Sequence, residues 1–267
     1  MSSPAYGTIQ IEKEGAIDWL TLNRPNRLNA LDRILVEELS TYFLSLAADR
    51  LVRIVVIRGA GRAFCAGLDM AESGAGKFDI ADGLARQRSI AEIVMRMQRA
   101  PQAIVSLVHG PACGGGFAIA LASDIRIAGE SARMNAAFIR IGLSACDIGV
   151  SYFLPRLVGS SVAAELLMTG NFIDAQRALA VGLVSKVVPD AELTSAARPI
   201  LDAMLTTAPL GLRLTKECLR MNIDAPGLEA AIAMEDRNQI LCASSPDFQE
   251  GVQAFLEKRA PNYRPGS

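Results

Sequence analysis

The chain has 267 residues, 51% hydrophobic and 21% charged, with a formal net charge of -1. That balance leaves no general electrostatic footprint for nucleic acid, and the length suits one large domain or a domain with an appendage. A single histidine excludes His-pair metal motifs such as H-E-x-x-H, and five scattered cysteines form neither a C-x-x-C pair nor a zinc-ligand set.

The first residues, MSSPAYGTIQIEKEG, carry neither the apolar core of a signal peptide nor an arginine-rich transit pattern. No apolar run reaches the roughly 18 residues that cross a bilayer. With an odd set of cysteines read as reduced thiols, a cytoplasmic location is expected. Residues 8–14 and 16–22 alternate or run apolar around Glu14-Gly15 and predict a hairpin. Asn23-Arg24-Pro25-Asn26 forces a turn, and a helix is predicted over 32–48 with Leu35, Leu39, Phe43 and Leu46 on one face. Ile54 to Ile57 reads as a buried strand that runs through Gly59 and Gly61 into Phe64-Cys65-Ala66-Gly67-Leu68-Asp69. The small, polar stretch 71–83 reads as the least ordered part. Within it Gly74-Ala75-Gly76-Lys77 lacks the first glycine and the final Ser/Thr of a phosphate loop. A helix over 84–99 follows, its stripe of Ile90, Ile93, Val94 and Met97 read as core.

Residues 103–124 have the most pronounced pattern. A β-branched run, Ala103 to Val108, passes through His109-Gly110-Pro111 to three glycines, 114–116, and an apolar helix. Glycines there let a ligand approach the unpaired N–H groups at the positive helix end, which suits an oxygen that becomes negative during reaction. Taken alone they are equally a tight packing turn. A G-x-G-x-x-G dinucleotide register fails at Ile119. The turn at 64–69 has the same construction, and two such turns could bring donors to one oxygen from two sides. His109 reads as a packed or hydrogen-bonded residue behind the turn. Asp124 to Ala128 is a return strand, and the repeated strand, loop and helix through residue 190 implies an α/β core in layers. Residues 161–169, 174–181, 190–207, 209–221, 228–242 and 246–258 read as helices punctuated by Pro189, Pro209, Pro226 and Pro246, with a short strand at 183–188.

The pieces NRPNRLNAL (23–31), FCAGLDM (64–70), GPACGGGFAIALASDIRIA (110–128), LPRLVG (154–159), AVGLVSKVVP (180–189) and AFLEKRAPNYRP (254–265) resemble the crotonase, or enoyl-CoA hydratase/isomerase, superfamily, in its order and over nearly the whole chain. The resemblance implies a spiral of ββα units over residues 1–200 carrying an acyl-CoA site, and a C-terminal helical oligomerisation region over 201–267 that builds a trimer or a dimer of trimers. It implies that the backbone N–H groups of Ala66 and Gly115 hold the thioester carbonyl oxygen. Arg27, Leu28, Gly67, Leu68, Phe138, Phe255 and Lys258 would line the substrate, with Phe255 and Lys258 serving the same or an adjacent subunit. A solvated loop arginine and a free surface lysine are the competing readings of Arg27 and Lys258. No cofactor or metal is expected, coenzyme A being part of the substrate, in fatty-acid or related metabolism.

Hydratases of that family use two glutamates, and the corresponding positions here are Ala118 and Phe138. Neither can move a proton. Asp147, eight residues before Pro155, stands where the family's dienoyl-CoA isomerases carry a basic aspartate, although the loop from Gly142 is one residue longer. One base can remove a proton and return it elsewhere, so double-bond isomerisation is favoured over hydration. A helix cap or a buried hydrogen-bonded acid are the other readings of Asp147. Asp69 is read as a helix cap, Glu72 as a reserve acid and Cys146 as packing. The alternative function is an acyl-CoA-binding protein without catalysis.

Overall fold

The computed structural model describes residues 6–73 and 79–263, without the side chains of 72 and 73. The Gly74 to Lys77 stretch, the Glu72 side chain and the last two residues of AFLEKRAPNYRP lie outside the described residues. The expected hairpin forms from β1 (Ile9–Glu14) and β2 (Ile17–Leu22), antiparallel with Ile9 opposite Leu22. β3 (Ile54–Gly59) joins β2 in parallel, and β4 (Ala103–Val108) joins β3. A second, three-stranded sheet begins with β5 (Pro111–Cys113), while β6 (Ile125–Gly129) returns to the large sheet beside β4. β7 (Arg133–Asn135) and β8 (Ile173–Asp174) complete the small sheet, and β9 (Lys186–Val188) closes the large one in the order β1-β2-β3-β4-β6-β9. Strands β3 and β4 are covered on both faces, which is why they read as continuous apolar runs instead of alternating ones.

One face carries α1 (Arg33–Ser45), preceded by the Asp32 cap whose carboxylate accepts the Leu35 N–H at 2.8 Å. The short α2 (Met70–Ser73) leads towards α3 (Ile80–Arg99), which starts four residues earlier than predicted because Asp79 caps it through the Asp82 N–H. Its predicted stripe is buried in the core, where α3 packs on α1 and α4. α4 (Gly115–Ala122) is buried on every side, the pattern of a helix at the centre of a fold. Its C-terminal end is held by buried Arg126, which donates to the carbonyls of Leu121 and Ser123. α5 (Val150–Val158) was not anticipated; α6 (Ser160–Thr169) and α7 (Ala175–Ala180) were.

The opposite face is closed by α8 (Leu193–Leu205), whose Leu193, Ala197 and Leu201 pack on Trp19, Val56, Val105 and Leu107. The boundary drawn after residue 200 falls inside this helix. α9 (Pro209–Asn222), α10 (Leu228–Ala243) and α11 (Pro246–Leu256) follow, with proline at the first position of α9 and α11. Among the described residues no helix is long and apolar enough to cross a membrane.

Candidate active site

The two small-residue turns meet. Cys65 donates its N–H to the Pro111 carbonyl at 3.2 Å and accepts the Cys113 N–H at 2.9 Å, tying the turn after β3 to strand β5. Gly67 has φ +91°, and a Cβ on it would stand 2.7 Å from the Cys113 carbonyl oxygen and 3.4 Å from the Gly115 nitrogen. Only glycine allows that conformation at that distance. Gly115 is the first residue of α4, so its N–H has no acceptor within the helix.

On the other side Leu31 forms a parallel bridge with Leu68. The Leu31 N–H donates to Gly67 at 2.7 Å, and the Leu31 carbonyl accepts from Asp69 at 3.0 Å. Leu31 thus bonds to the residues flanking Leu68, and the Leu68 N–H faces away from it, as alternate residues of a strand do. Ala66 donates its N–H to the Leu28 carbonyl at 2.9 Å. This corrects the expectation for Ala66: its donor is already engaged within the protein, and the outward donor of this turn is Leu68.

Apolar side chains crowd the junction. The Phe138 ring comes within 3.3 Å of the point where a Cβ on Gly114 would stand, and Leu31 and Ile148 are the side chains nearest the same point on Gly115. Ala118 is fully buried in α4, and Phe138 is buried in the 3-10 turn Ala137–Ile141. Asp147 is half-buried. Its Oδ1 accepts the Ile148 N–H at 2.7 Å and the Gln87 side-chain amide of α3. Burial pushes its carboxyl above the usual range, against the opposing pull of those two hydrogen bonds.

Around this junction the loop before α1 is fixed by charge and by a buried amide. The Arg24 guanidinium bridges Asp32 at 2.9 Å and Asp69 at 3.0 Å. Asp69 also accepts the Ala71 N–H at 3.2 Å, the capping role expected of it. Leu28 and Asn29 both have left-handed backbones, and the buried Asn29 amide donates to the carbonyls of Ala60 and Ala63. Arg27 is exposed on the 3-10 turn Pro25–Arg27. His109 lies behind the turn as expected, its Nε2 2.8 Å from the Gly61 carbonyl. Cys146 is exposed, which corrects its reading as a packing residue. Phe255 is 83% exposed at the end of α11, which packs on α10, and Lys258 follows with a left-handed backbone. Neither is among the side chains nearest Gly115. Sequence reasoning missed Gln87, Ile148 and Asn29; a polar residue on α3 spaced from a core stripe gives no local signal of its partner.

A model of the family described as "Enoyl-CoA hydratase/isomerase" matches residues 12–265. A Mycobacterium tuberculosis protein named "Probable enoyl-CoA hydratase EchA12" is 38% identical over 250 residues, 91% of this chain and 87% of that one. The "1,2-epoxyphenylacetyl-CoA isomerase" of Escherichia coli is 33% identical over 94% of this chain and 95% of its own. A crystal structure of an enoyl-CoA hydratase from Bacillus anthracis superposes with a TM-score of 0.92 at 32% identity, covering 98% of this chain and 100% of that one.

Proposed function

Because this chain belongs to the enoyl-CoA hydratase/isomerase family, we propose that it moves a double bond along an acyl-CoA thioester with a single carboxylate. The thioester carbonyl oxygen accepts hydrogen bonds from the N–H groups of Leu68 and Gly115. Asp147 takes a proton from a substrate carbon next to the double bond, and the electron pair left behind spreads onto the carbonyl oxygen as an enolate. The two N–H groups and the positive end of α4 stabilise that oxygen. The protonated Asp147 then returns the proton at the far end of the conjugated system. No atom is gained or lost, and the reaction draws on no cofactor besides the coenzyme A of the substrate.

The observation that carries this reading is the set of groups around Gly115. Ala118 and Phe138 hold no proton, while Asp147 is the carboxylate beside the residue that packs on Gly115. Hydration needs a water that is both deprotonated and matched by a proton donor, and the crowded apolar wall of Phe138, Leu31 and Ile148 disfavours water. One relative is named a 1,2-epoxyphenylacetyl-CoA isomerase, so relatives at this range of similarity include an isomerase, of an epoxide by its name, beside proteins named hydratases. Arg27 is proposed to meet a phosphate of coenzyme A. Phe255 and Lys258 are proposed to reach the nucleotide of a neighbouring copy in a trimer, for which exposed Leu228, Ile240 and Leu256 offer apolar surface. Binding without turnover is the second reading, favoured by the loss of both glutamates.

The test is mass spectrometry of 2-enoyl-, 3-enoyl- and dienoyl-CoA thioesters incubated with the protein in deuterated water. A shifted double bond with no added water is expected, with deuterium taken up to the extent that protonated Asp147 exchanges with solvent before it returns its proton. Gain of one water sinks the preference for isomerisation, and saturable binding with no change in any thioester establishes the second reading.

A further inference from the structure

Ile148 stands between the chemical halves of the site. Its φ of +36° puts a β-branched residue in the left-handed region, a genuine outlier for such a side chain and costly by about 1–2 kcal/mol. Glycine makes such a turn without that cost, and the next residue, Gly149, does so at φ +88°. A branched side chain retained in this conformation points to a use for it. Two contacts supply one. The Ile148 N–H donates to Asp147 Oδ1 at 2.7 Å, and its Cδ1 lies 3.5 Å from where a Cβ on Gly115 would stand. The turn is closed behind it by the Val150 N–H on the Asp147 carbonyl at 2.8 Å, so the contacts are made by one short, rigid segment at the start of α5.

We propose that Ile148 is a positioning residue for the proton transfer: its strained backbone orients the Asp147 carboxylate while its side chain registers that carboxylate against the Gly115 donor. The inference rests on Asp147 being the base. Base and oxyanion donor come from separate segments, the loop before α5 and the start of α4, and proton transfer tolerates little error between them. The approach of Cδ1 to the α4 terminus, within 3.5 Å of the point where a Gly115 Cβ would stand, is the link that sets their separation. An unstrained glycine at 148 would leave that distance to the breathing of the loop from Gly142.

Three variants test it, assayed by deuterium exchange into a 3-enoyl-CoA, with circular dichroism and thermal melting on each. Ile148→Gly and Ile148→Asn both accept a left-handed backbone and keep the N–H but lose the contact with Gly115, whereas Ile148→Leu keeps an apolar branch of similar reach. The Gly and Asn variants are expected to lose about tenfold to 100-fold in kcat with KM within about twofold, and Leu to stay within about threefold of wild type. Wild-type kcat in the Gly or Asn variant overturns the proposal, as does a loss in Leu equal to that in Gly. Should the Gly variant not fold, Asn and Leu decide. Asp147→Asn separates the two layers of the argument. If it retains full turnover, the reading of Asp147 fails; if it abolishes turnover while Ile148→Gly is unimpaired, the base stands and the positioning role falls. No turnover of any thioester by the wild type removes both.

Discussion

The backbone N–H of Ala66 points at the carbonyl of Leu28, 2.9 Å away, and so holds the turn after β3 to the loop before α1. The donor proposed to meet a ligand in this turn is Leu68. Replacing single amides by esters, with lactic acid at 66 or the leucine hydroxy acid at 68, removes one N–H without touching a side chain. The ester at 68 is expected to lower kcat by about 10²–10³-fold, the usual loss for one oxyanion donor. The ester at 66 should lower the melting temperature with a much smaller effect on kcat. The reverse pattern would return the role to Ala66.

Asp147→Asn keeps the size of the side chain and its acceptor oxygen but removes the base. Turnover is expected to fall by about 10²–10⁴-fold. Binding of the thioester, measured by calorimetry, should remain within a few-fold, since the carbonyl donors are untouched. A matching loss of affinity would make Asp147 a binding residue.

Gln87 predicts a pH effect whose sign follows from its hydrogen bond. Burial raises the Asp147 carboxyl, while the Gln87 amide, by donating to the charged form, pulls it down. A base works deprotonated, so activity falls as pH drops through its pKa. Gln87→Met removes the donor and should move the acid limb of kcat/KM to higher pH, leaving the plateau at high pH close to wild type. An unmoved acid limb would detach Gln87 from the titrating group.

The parts legible in the sequence are those whose signal is local. The hairpin, the α1 and α3 stripes and the glycines at 114–116 each follow from spacing within a dozen residues, and they set the two turns side by side. Which N–H of FCAGLDM faces outward is not local, because it is decided by the bridge from Leu31, a residue in a distant loop. The same holds for Gln87, whose partner Asp147 lies on another element. Strands β7 and β8, three and two residues long, are too short to carry a period, and they passed unnoticed for that reason. Ile148 gives no signal at all, since nothing in its identity announces a left-handed backbone.

Phe138 and Ala118 predict opposite consequences when a carboxylate is restored. Phe138 packs its ring near Gly114 at the edge of the site, where it is almost fully buried. Phe138→Glu should lower stability, because it places a carboxyl in an apolar site, and admit water. Measurable water addition to a 2-enoyl-CoA is then expected in the variant and none in the wild type. Ala118 lies wholly within α4, so Ala118→Glu buries a carboxyl among apolar neighbours and should unfold the protein before it restores chemistry. Unchanged water incorporation in Phe138→Glu would show that this side chain does not keep the site dry.

Arg24 holds two carboxylates that belong to different parts of the site, Asp32 at the start of α1 and Asp69 after the Leu68 donor. Arg24→Met removes the guanidinium that Asp32 and Asp69 share, which should cost about 3–5 kcal/mol in urea denaturation. The pH dependence separates charge from packing. Burial pushes the Asp69 carboxyl up, but the Arg24 guanidinium and the Ala71 N–H outweigh it and hold the group below its usual value. A carboxylate depressed in the folded state stabilises at pH above its unfolded pKa of about 3.9, and that stability is lost as pH falls through the folded value. The gap between wild type and Arg24→Met should therefore be widest near neutrality and should close in acid, as protonation removes the partner that the arginine serves. A gap that stays constant through that range would assign Arg24 to packing, and the Leu68 donor would then owe its place to the Leu31 bridge alone.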